Sequence, residues 1–259
     1  GLDLDACYRQ TPVRCTLKPE GTTWILGAGG PMGRMHLQRA IERAGGPSRI
    51  IATNRGLQRL EGLRQSFVGL AAAHHIELVA FSPRHESDDY VRLMARVLEE
   101  GGVDDVEVMA ASPDAVVEAT RYVAKGGVVN VFAGLKRGIM APIDAWLIYG
   151  PRQVRIIGHS GSGLQDQIAV VERMREGQLQ PQRSVAAIAG LRQIPDGIRA
   201  MVAKTYPGKI VVFPMVVDFP VTACADLDKV LPQVYEKLGD GYTWTVEAEM
   251  AFLEAMLPE

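Results

Sequence analysis

The chain has 259 residues, 47% of them apolar and 22% charged, with a net charge of −2 at neutral pH. This is the composition of a soluble globular protein, long enough for one large α/β domain or a domain with a smaller companion. It offers no basic footprint for nucleic acid, and no apolar run approaches the roughly 18 residues of a membrane span. The three cysteines, Cys7, Cys15 and Cys224, are too few and scattered for a disulfide framework, so a reducing compartment, the cytoplasm, is expected.

The opening residues GLDLDACYRQ have no apolar core and do not read as a signal peptide. Residues 22–28 (TTWILGA) predict a buried strand, and MGRMHLQRAIERAG the helix after it. A second strand is expected at 48–54, followed by a helix with Leu57, Leu60 and Leu63 at helical spacing. A third strand at 76–82 precedes a helix over 88–102. A fourth at 105–112 precedes a helix over 113–127 that starts on proline and stops on glycine, the usual polarity of helix ends. A fifth strand is expected at 127–135, a sixth at 152–160, and a helix at 164–178. Apolar strands interleaved with amphipathic helices specify a doubly wound α/β domain, its six-stranded parallel sheet covered on both faces. After residue 180 the rhythm changes. RSVAAIAGL and GKIVVFPMVV read as strands around the helix IPDGIRAMVAKTY, and helices are expected in ADLDKVLPQVYEKLG and TVEAEMAFLEAM.

The segment WILGAGGPMGRMHLQRAIERAG (24–45) sets Gly27, Gly30 and Gly33 at three-residue spacing where a strand gives way to a helix. That arrangement holds a dinucleotide pyrophosphate. One glycine permits the tight turn, one lets backbone approach the phosphates, and one lets helix and strand pack closely. The phosphates then rest on free N–H groups at the positive end of the helix dipole. The competing reading is a glycine-rich turn without a ligand; position after the first strand of a βα series favours the ligand. Gly27, Gly29, Gly30, Pro31, Met32 and Gly33 are therefore candidate cofactor-binding residues.

Where an NAD-preferring site places an acid, at the end of the second strand, the sequence has Thr53, Asn54 and Arg55. Loss of the carboxylate removes repulsion toward a 2′-phosphate, which a guanidinium binds through paired, charge-assisted bonds. NADP(H) is expected over NAD(H). The alternative is that Asn54 holds the ribose hydroxyls while Arg55 is only solvated. At the remaining strand ends, Ala111 and Ser112 are expected beside adenine and ribose, and Ala133, Gly134 and Leu135 beside the nicotinamide. His159 and Ser160 are expected to meet its carboxamide or a subunit neighbour.

No residue reads as catalytic. None of the five histidines shows a metal-ligand spacing with a cysteine, so no metal site is expected within these residues. Tyr122 and Lys125 are three apart rather than four, as are Tyr206 and Lys209. GHSGSG (158–163) misses the nucleophile-elbow pattern by one residue, and no histidine follows His159.

GAGGPMG, with VVNVFAGL and RIIGHSGSGLQD, resembles the coenzyme domain of the medium-chain, zinc-type alcohol and polyol dehydrogenases. ACYRQTPVRCTLKPEGTTWILGAGG is similar to the helix and turn that lead into that domain, and GQLQPQRSVAAIAGLRQIPDGIRAMVAKTYPGKIVVFP to the family's closing pattern. The resemblance runs over residues 6–214, and the tail suits the sorbitol- or sorbose-phosphate-reductase-like branches. It implies a linking helix over 1–20, a dinucleotide-binding domain over 21–180, a return segment of the catalytic domain over 181–214 and a helical extension over 215–259. It further implies an NAD(P)-dependent oxidoreductase of small alcohols or sugar alcohols. The family's N-terminal catalytic domain, which supplies the zinc ligands, has no counterpart in this sequence. Zinc is therefore expected only where that domain is present, and this chain alone is expected to be inactive. Self-association, as a homodimer or larger, is expected through the edge strand RQVRIIG, with Val154, Ile156 and Ile157. Two other readings compete: a non-catalytic NAD(P) sensor or scaffold, and a zinc-free quinone-reductase-like enzyme.

Overall fold

The computed structural model describes residues 16–158 and 161–257. Among these, the first and larger sheet has six parallel strands: β1 (Thr22–Leu26), β2 (Arg49–Thr53), β3 (Glu77–Phe81), β4 (Val103–Val108), β5 (Val123–Val131) and β6 (Arg155–Gly158). Their order, β3-β2-β1-β4-β5-β6, reverses direction of growth between β1 and β4, which opens a crevice at the carboxyl ends of the strands. Helices α1 (Pro31–Glu42), α2 (Leu57–Ala73), α3 (Ser87–Glu99) and α4 (Pro113–Tyr122) cover the faces. β1 is buried along four of its five residues because both faces are covered. Trp24 and Leu26 pack with Val106, Val108 and Met94 on one side, while Ile25 packs with Leu37, Ile41, Leu60 and Phe67 on the other.

Two strands begin earlier than expected, and glycines explain both. Gly101 and Gly102 take φ of 104° and 98°, which ends α3 abruptly and lets β4 start at Val103. The Gly126–Gly127 pair does not cap the preceding helix. α4 stops at Tyr122, and Gly126 (φ 72°) lies inside β5, where the register slips between Val103↔Val123 and Asp105↔Val128. This is a bulge, not a helix end.

A further helix, α5 (Trp146–Tyr149), precedes β6, and α6 (Leu164–Arg175) follows it. β3 is one edge of the sheet, and β6 is the other. Ile156 and Ile157 are half-buried there, but Val154 is not part of an exposed edge. It is 1% exposed, and its N–H donates to the Leu147 carbonyl at 2.8 Å. No helix is long and apolar enough to cross a membrane, among the described residues.

Residues beyond 180 build a second sheet. β7 (Val185–Gly190) pairs in parallel with β8 (Lys209–Phe213) across the crossover helix α7 (Ile194–Ala203), and antiparallel with β9 (Thr222–Ala223). The residues after 214 do not trail away as an extension. Val216, Phe219, Leu227, Trp244 and Phe252 join Ile188 and Phe213 in one core, with aromatic rings at 4.9–6.1 Å. The first of the two expected tail helices is broken into a 3₁₀ turn at Cys224–Lys229 and the short α8 (Pro232–Tyr235). Pro232 lacks the N–H that a continuous helix needs there. The second forms as α9 (Val246–Met256), capped by the Thr245 side chain, which accepts from the Ala248 N–H at 3.0 Å. Of the expected linking helix, residues 1–15 lie outside the described residues, and residues 16–20 are non-helical.

Strand β4 turns Val106 and Val108 to one core and Asp105 and Glu107 to the other face, beneath α1. There Asn130 donates to Glu107 at 2.7 Å, and His36 Nδ1 lies 3.8 Å from the same carboxyl. Burial pushes the Glu107 carboxyl up to about 7. A raised folded value means that the folded state holds the proton more tightly. Stability is therefore greatest below the unfolded value and falls as pH rises toward 7. Glu107→Gln should match the native chain in urea unfolding at pH 4.5 and exceed it by roughly 1–3 kcal/mol at pH 8.

Candidate functional site

The turn between β1 and α1 uses its glycines for three separable reasons. Gly27 has φ 86°, a left-handed conformation that carries the chain off the strand. A Cβ on Gly33 would lie 2.4 Å from the Gly27 carbonyl oxygen and 2.7 Å from Ala28 Cα, so this position is glycine for helix–strand packing. Gly30 has neither reason. Its φ is −79°, and a Cβ there would meet only the Gly27 oxygen at 3.5 Å. It lines a cavity of about 1010 Å³. Of the three, Gly30 alone is a glycine that the fold itself does not require.

α1 begins at this cavity with no side-chain cap and no acid in its first turn. Its first N–H groups and the positive end of its dipole are thus left to whatever occupies the cavity. The cavity wall contains Gly27, Gly30, Pro31, Met32, Gly33, Thr53, Asn54, Arg55, Ala111 and Ser112, all chosen from the sequence. Gly29 is not on the wall. A Cβ on it would strike Asn54 Cγ at 2.8 Å and Arg59 Cβ at 2.9 Å, so its role is to let the end of β2 close on the turn.

At the end of β2 the Thr53 hydroxyl accepts from the Trp24 indole N–H at 3.1 Å, and Asn54 donates to the Gly56 carbonyl at 2.9 Å. Ala111 and Ser112 do not end β4, which stops at Val108; Ser112 is the N-cap residue of α4. Ala133, Gly134 and Leu135 follow the end of β5 but lie off this cavity wall. The Ala133 N–H donates to Val108, and Leu135 packs against the core. His159 and Ser160 lie outside the described residues.

Sequence reasoning missed several wall residues. Arg59 is the third residue of α2, just past the loop that carries Arg55. Lys204, Tyr206 and Lys209 come from the second sheet's crossover and had no sequence signal. Among the described residues Glu118 is the one carboxylate on the wall, and the Tyr90 hydroxyl donates to it at 2.5 Å. Desolvation, reinforced by Glu118, raises the Tyr90 phenol far above its ordinary range. The wall is therefore neutral backbone and cations on the turn side. Its far side is apolar, from Ile194, Ile198, Met201 and Ile210.

Such a cavity suits an anionic, partly apolar ligand, and among the described residues its wall carries no nucleophile paired with a base. Among the described residues, no three His, Cys, Asp or Glu side chains come together. Cys224 is buried, and desolvation pushes its thiol up to about 12.

The strand–glycine turn–helix lies at the switch point of a 3-2-1-4-5-6 parallel sheet, the place where open α/β sheets take their ligands. The fold is Rossmann-like α/β, and it is shared with solved alcohol dehydrogenases. A 2R,3R-butanediol dehydrogenase of Bacillus subtilis superposes on 80% of this chain and 53% of its own, with a TM-score of 0.59 and 21% identity. A Sinorhizobium meliloti protein described as a zinc-binding dehydrogenase, solved bound to NADP, superposes on 76% of this chain and 54% of its own, with a TM-score of 0.57 and 22% identity. Among curated proteins, the uncharacterized protein YggP of Escherichia coli is 30% identical, over 82% of this chain and 50% of its own. Mannitol-1-phosphate 5-dehydrogenase of Aliivibrio fischeri is 27% identical over 92% and 57%, and L-sorbose 1-phosphate reductase of Klebsiella pneumoniae 27% over 68% and 41%. The chain thus spans about half the length of the curated relatives it matches. No protein-family model matches it.

The different duties of the glycines are separable by mutation. Gly33→Ala should lose about 1–3 kcal/mol of unfolding free energy, because helix and strand must part to admit the methyl group. Gly30→Ala should stay within about 0.5 kcal/mol of the native chain. Urea denaturation of the two variants measures both.

Proposed function

We propose that the chain binds NADP(H) in this cavity and serves as the coenzyme-binding part of a dehydrogenase that interconverts a sugar alcohol, or its phosphate, and a carbonyl. The observation that carries the reading is Gly30, a glycine facing the cavity where neither backbone conformation nor packing demands one. A pyrophosphate needs that closeness to backbone.

In this reading the turn from Gly27 to Gly33 holds the pyrophosphate on backbone N–H groups. Ala111 and Ser112 border the adenosine, and Arg55, beside Asn54, binds the 2′-phosphate. The nicotinamide end lies toward Ala133, Gly134 and Leu135. Bound there, the cofactor would supply the hydride chemistry. The chain's own residues bind and orient it, and the apolar wall of α7 keeps water from one side. Support for the polyol class comes from the mannitol- and sorbose-phosphate enzymes among the relatives.

Fluorescence titration of the purified chain should give an NADPH affinity ten- to a hundredfold above that for NADH, the effect of a charge-assisted contact of about 1.5–3 kcal/mol. Equal affinities would refute the assignment of Arg55. Gly30→Val should abolish binding of both cofactors while circular dichroism remains native; retained binding would make the turn purely structural.

We also propose that two copies associate along the free edge of β6. Arg155 is exposed on that strand and donates to the Gly126 carbonyl at 3.2 Å, leaving half-buried Ile156 and Ile157 as its apolar contacts. Light scattering should show a dimer that Ile156→Lys converts to monomer. A native monomer at every concentration would overturn this.

A further inference from the structure

The end of α7 lies on the cavity wall. Lys204, the residue that closes the helix, adopts φ 58° and ψ 38°, the left-handed conformation that glycine takes most readily. The closure itself is ordinary: the Lys204 N–H donates to Met201, and the Thr205 N–H reaches back to the Ala200 carbonyl at 2.9 Å. His75 follows the end of α2 at the same φ of 58°, so the conformation alone marks no function, and a role for Lys204 needs a separate reason.

Its surroundings supply one. The Lys204 carbonyl accepts from Arg59 Nη2 at 3.0 Å, across 145 residues of sequence, which ties the end of α7 to the first turn of α2. Arg59 is itself pressed against the glycine turn, its Cβ close beneath Gly29. Lys204, Arg59 and Arg55 line the same cavity. Among the described residues none of the three forms a salt bridge, whereas Arg49, Arg64, Arg92, Arg192 and Arg199 all do. With Lys209, which lines the same wall and also forms no salt bridge among the described residues, they make four cations that repel one another unless an anion joins them.

We propose that Lys204, from the second sheet, is a specificity-determining residue for the cofactor: its ammonium group completes, with Arg55 and Arg59, the site for the 2′-phosphate. The inference rests on the NADP(H) reading above and extends it. Discrimination between the two cofactors is divided between the dinucleotide-binding sheet and the βαβ unit that faces it across the cavity. The Arg59–Lys204 backbone contact sets the distance between them.

Lys204→Gly tests this, because glycine suits the backbone conformation and keeps the carbonyl that Arg59 uses while removing the ammonium group. Lys204→Met, which retains most of the apolar stem, is the second variant. Both should fold, with Tm within about 2 °C of the native chain. In titrations with NADPH and NADH, each variant should lose about tenfold in NADPH affinity and stay within about twofold for NADH. Raising the salt concentration should weaken NADPH binding less in the variants than in the native chain. An equal loss for both cofactors, or none for either, in chains that still prefer NADPH would overturn the role of Lys204 and leave the NADP(H) reading intact. A native chain without preference for NADPH would remove that reading, and this inference with it.

Discussion

The close approach of α1 to β1 is the constraint on which the rest depends. With only hydrogen on the Gly33 α-carbon, the helix axis comes near enough for a Cβ there to fall 2.4 Å from the Gly27 carbonyl oxygen. That closeness aims the uncapped end of α1 at the crevice between β1 and β4. It also seats Leu37 and Ile41 on Ile25, Ile50 and Ala52, so one contact positions both the site and half the core. Burial of these side chains supplies the driving force, at about 25 cal/mol for each Å² of apolar surface removed from water.

The cavity exists because a second unit stands against the first. Gln38 on α1 donates to the Gln180 carbonyl at 2.6 Å, and Arg183 lies 3.7 Å from Glu42, so the chain entering the second sheet is held to the far end of the same helix. Arg59 and Lys204 make the contact at the other end. Between these ties α7 presents Ile198 and Met201, more than half exposed, to the cavity. Apolar side chains are left open there at a cost in solvation, which ligand burial would offset. The aromatic cluster of Phe213, Phe219, Trp244 and Phe252 lies in the core of the second sheet and makes it a rigid support for that wall.

How much of this was legible follows from the kind of signal each part carries. The six strands were read from apolar runs, because a strand covered on both faces is apolar along its whole length, and four of the six runs contain the observed strands entirely. The starts of β4 and β5 were misplaced because glycine marks both helix ends and bulges. Only the pairing of Asp105 with Val128 shows which role Gly126 plays. In the tail, apolar spacing suggested a continuous helix over ADLDKVLPQVYEKLG, but Pro232 and the packing of Leu227 and Val234 into the second core divide it.

What the sequence by itself determined is local: the alternation of strand and helix, the glycine turn, and the residues Thr53, Asn54 and Arg55 that follow β2, since each depends on neighbours within a few positions. Tertiary structure alone decided which glycine serves the fold and which faces the cavity, because that depends on the atoms opposite each missing Cβ. It also decided that Lys204 and Lys209 stand opposite the turn and that residues after 214 close a core rather than trail from one. Contacts between residues more than a hundred positions apart leave no periodicity to read. They arise from burial of surfaces that meet only once both sheets have formed.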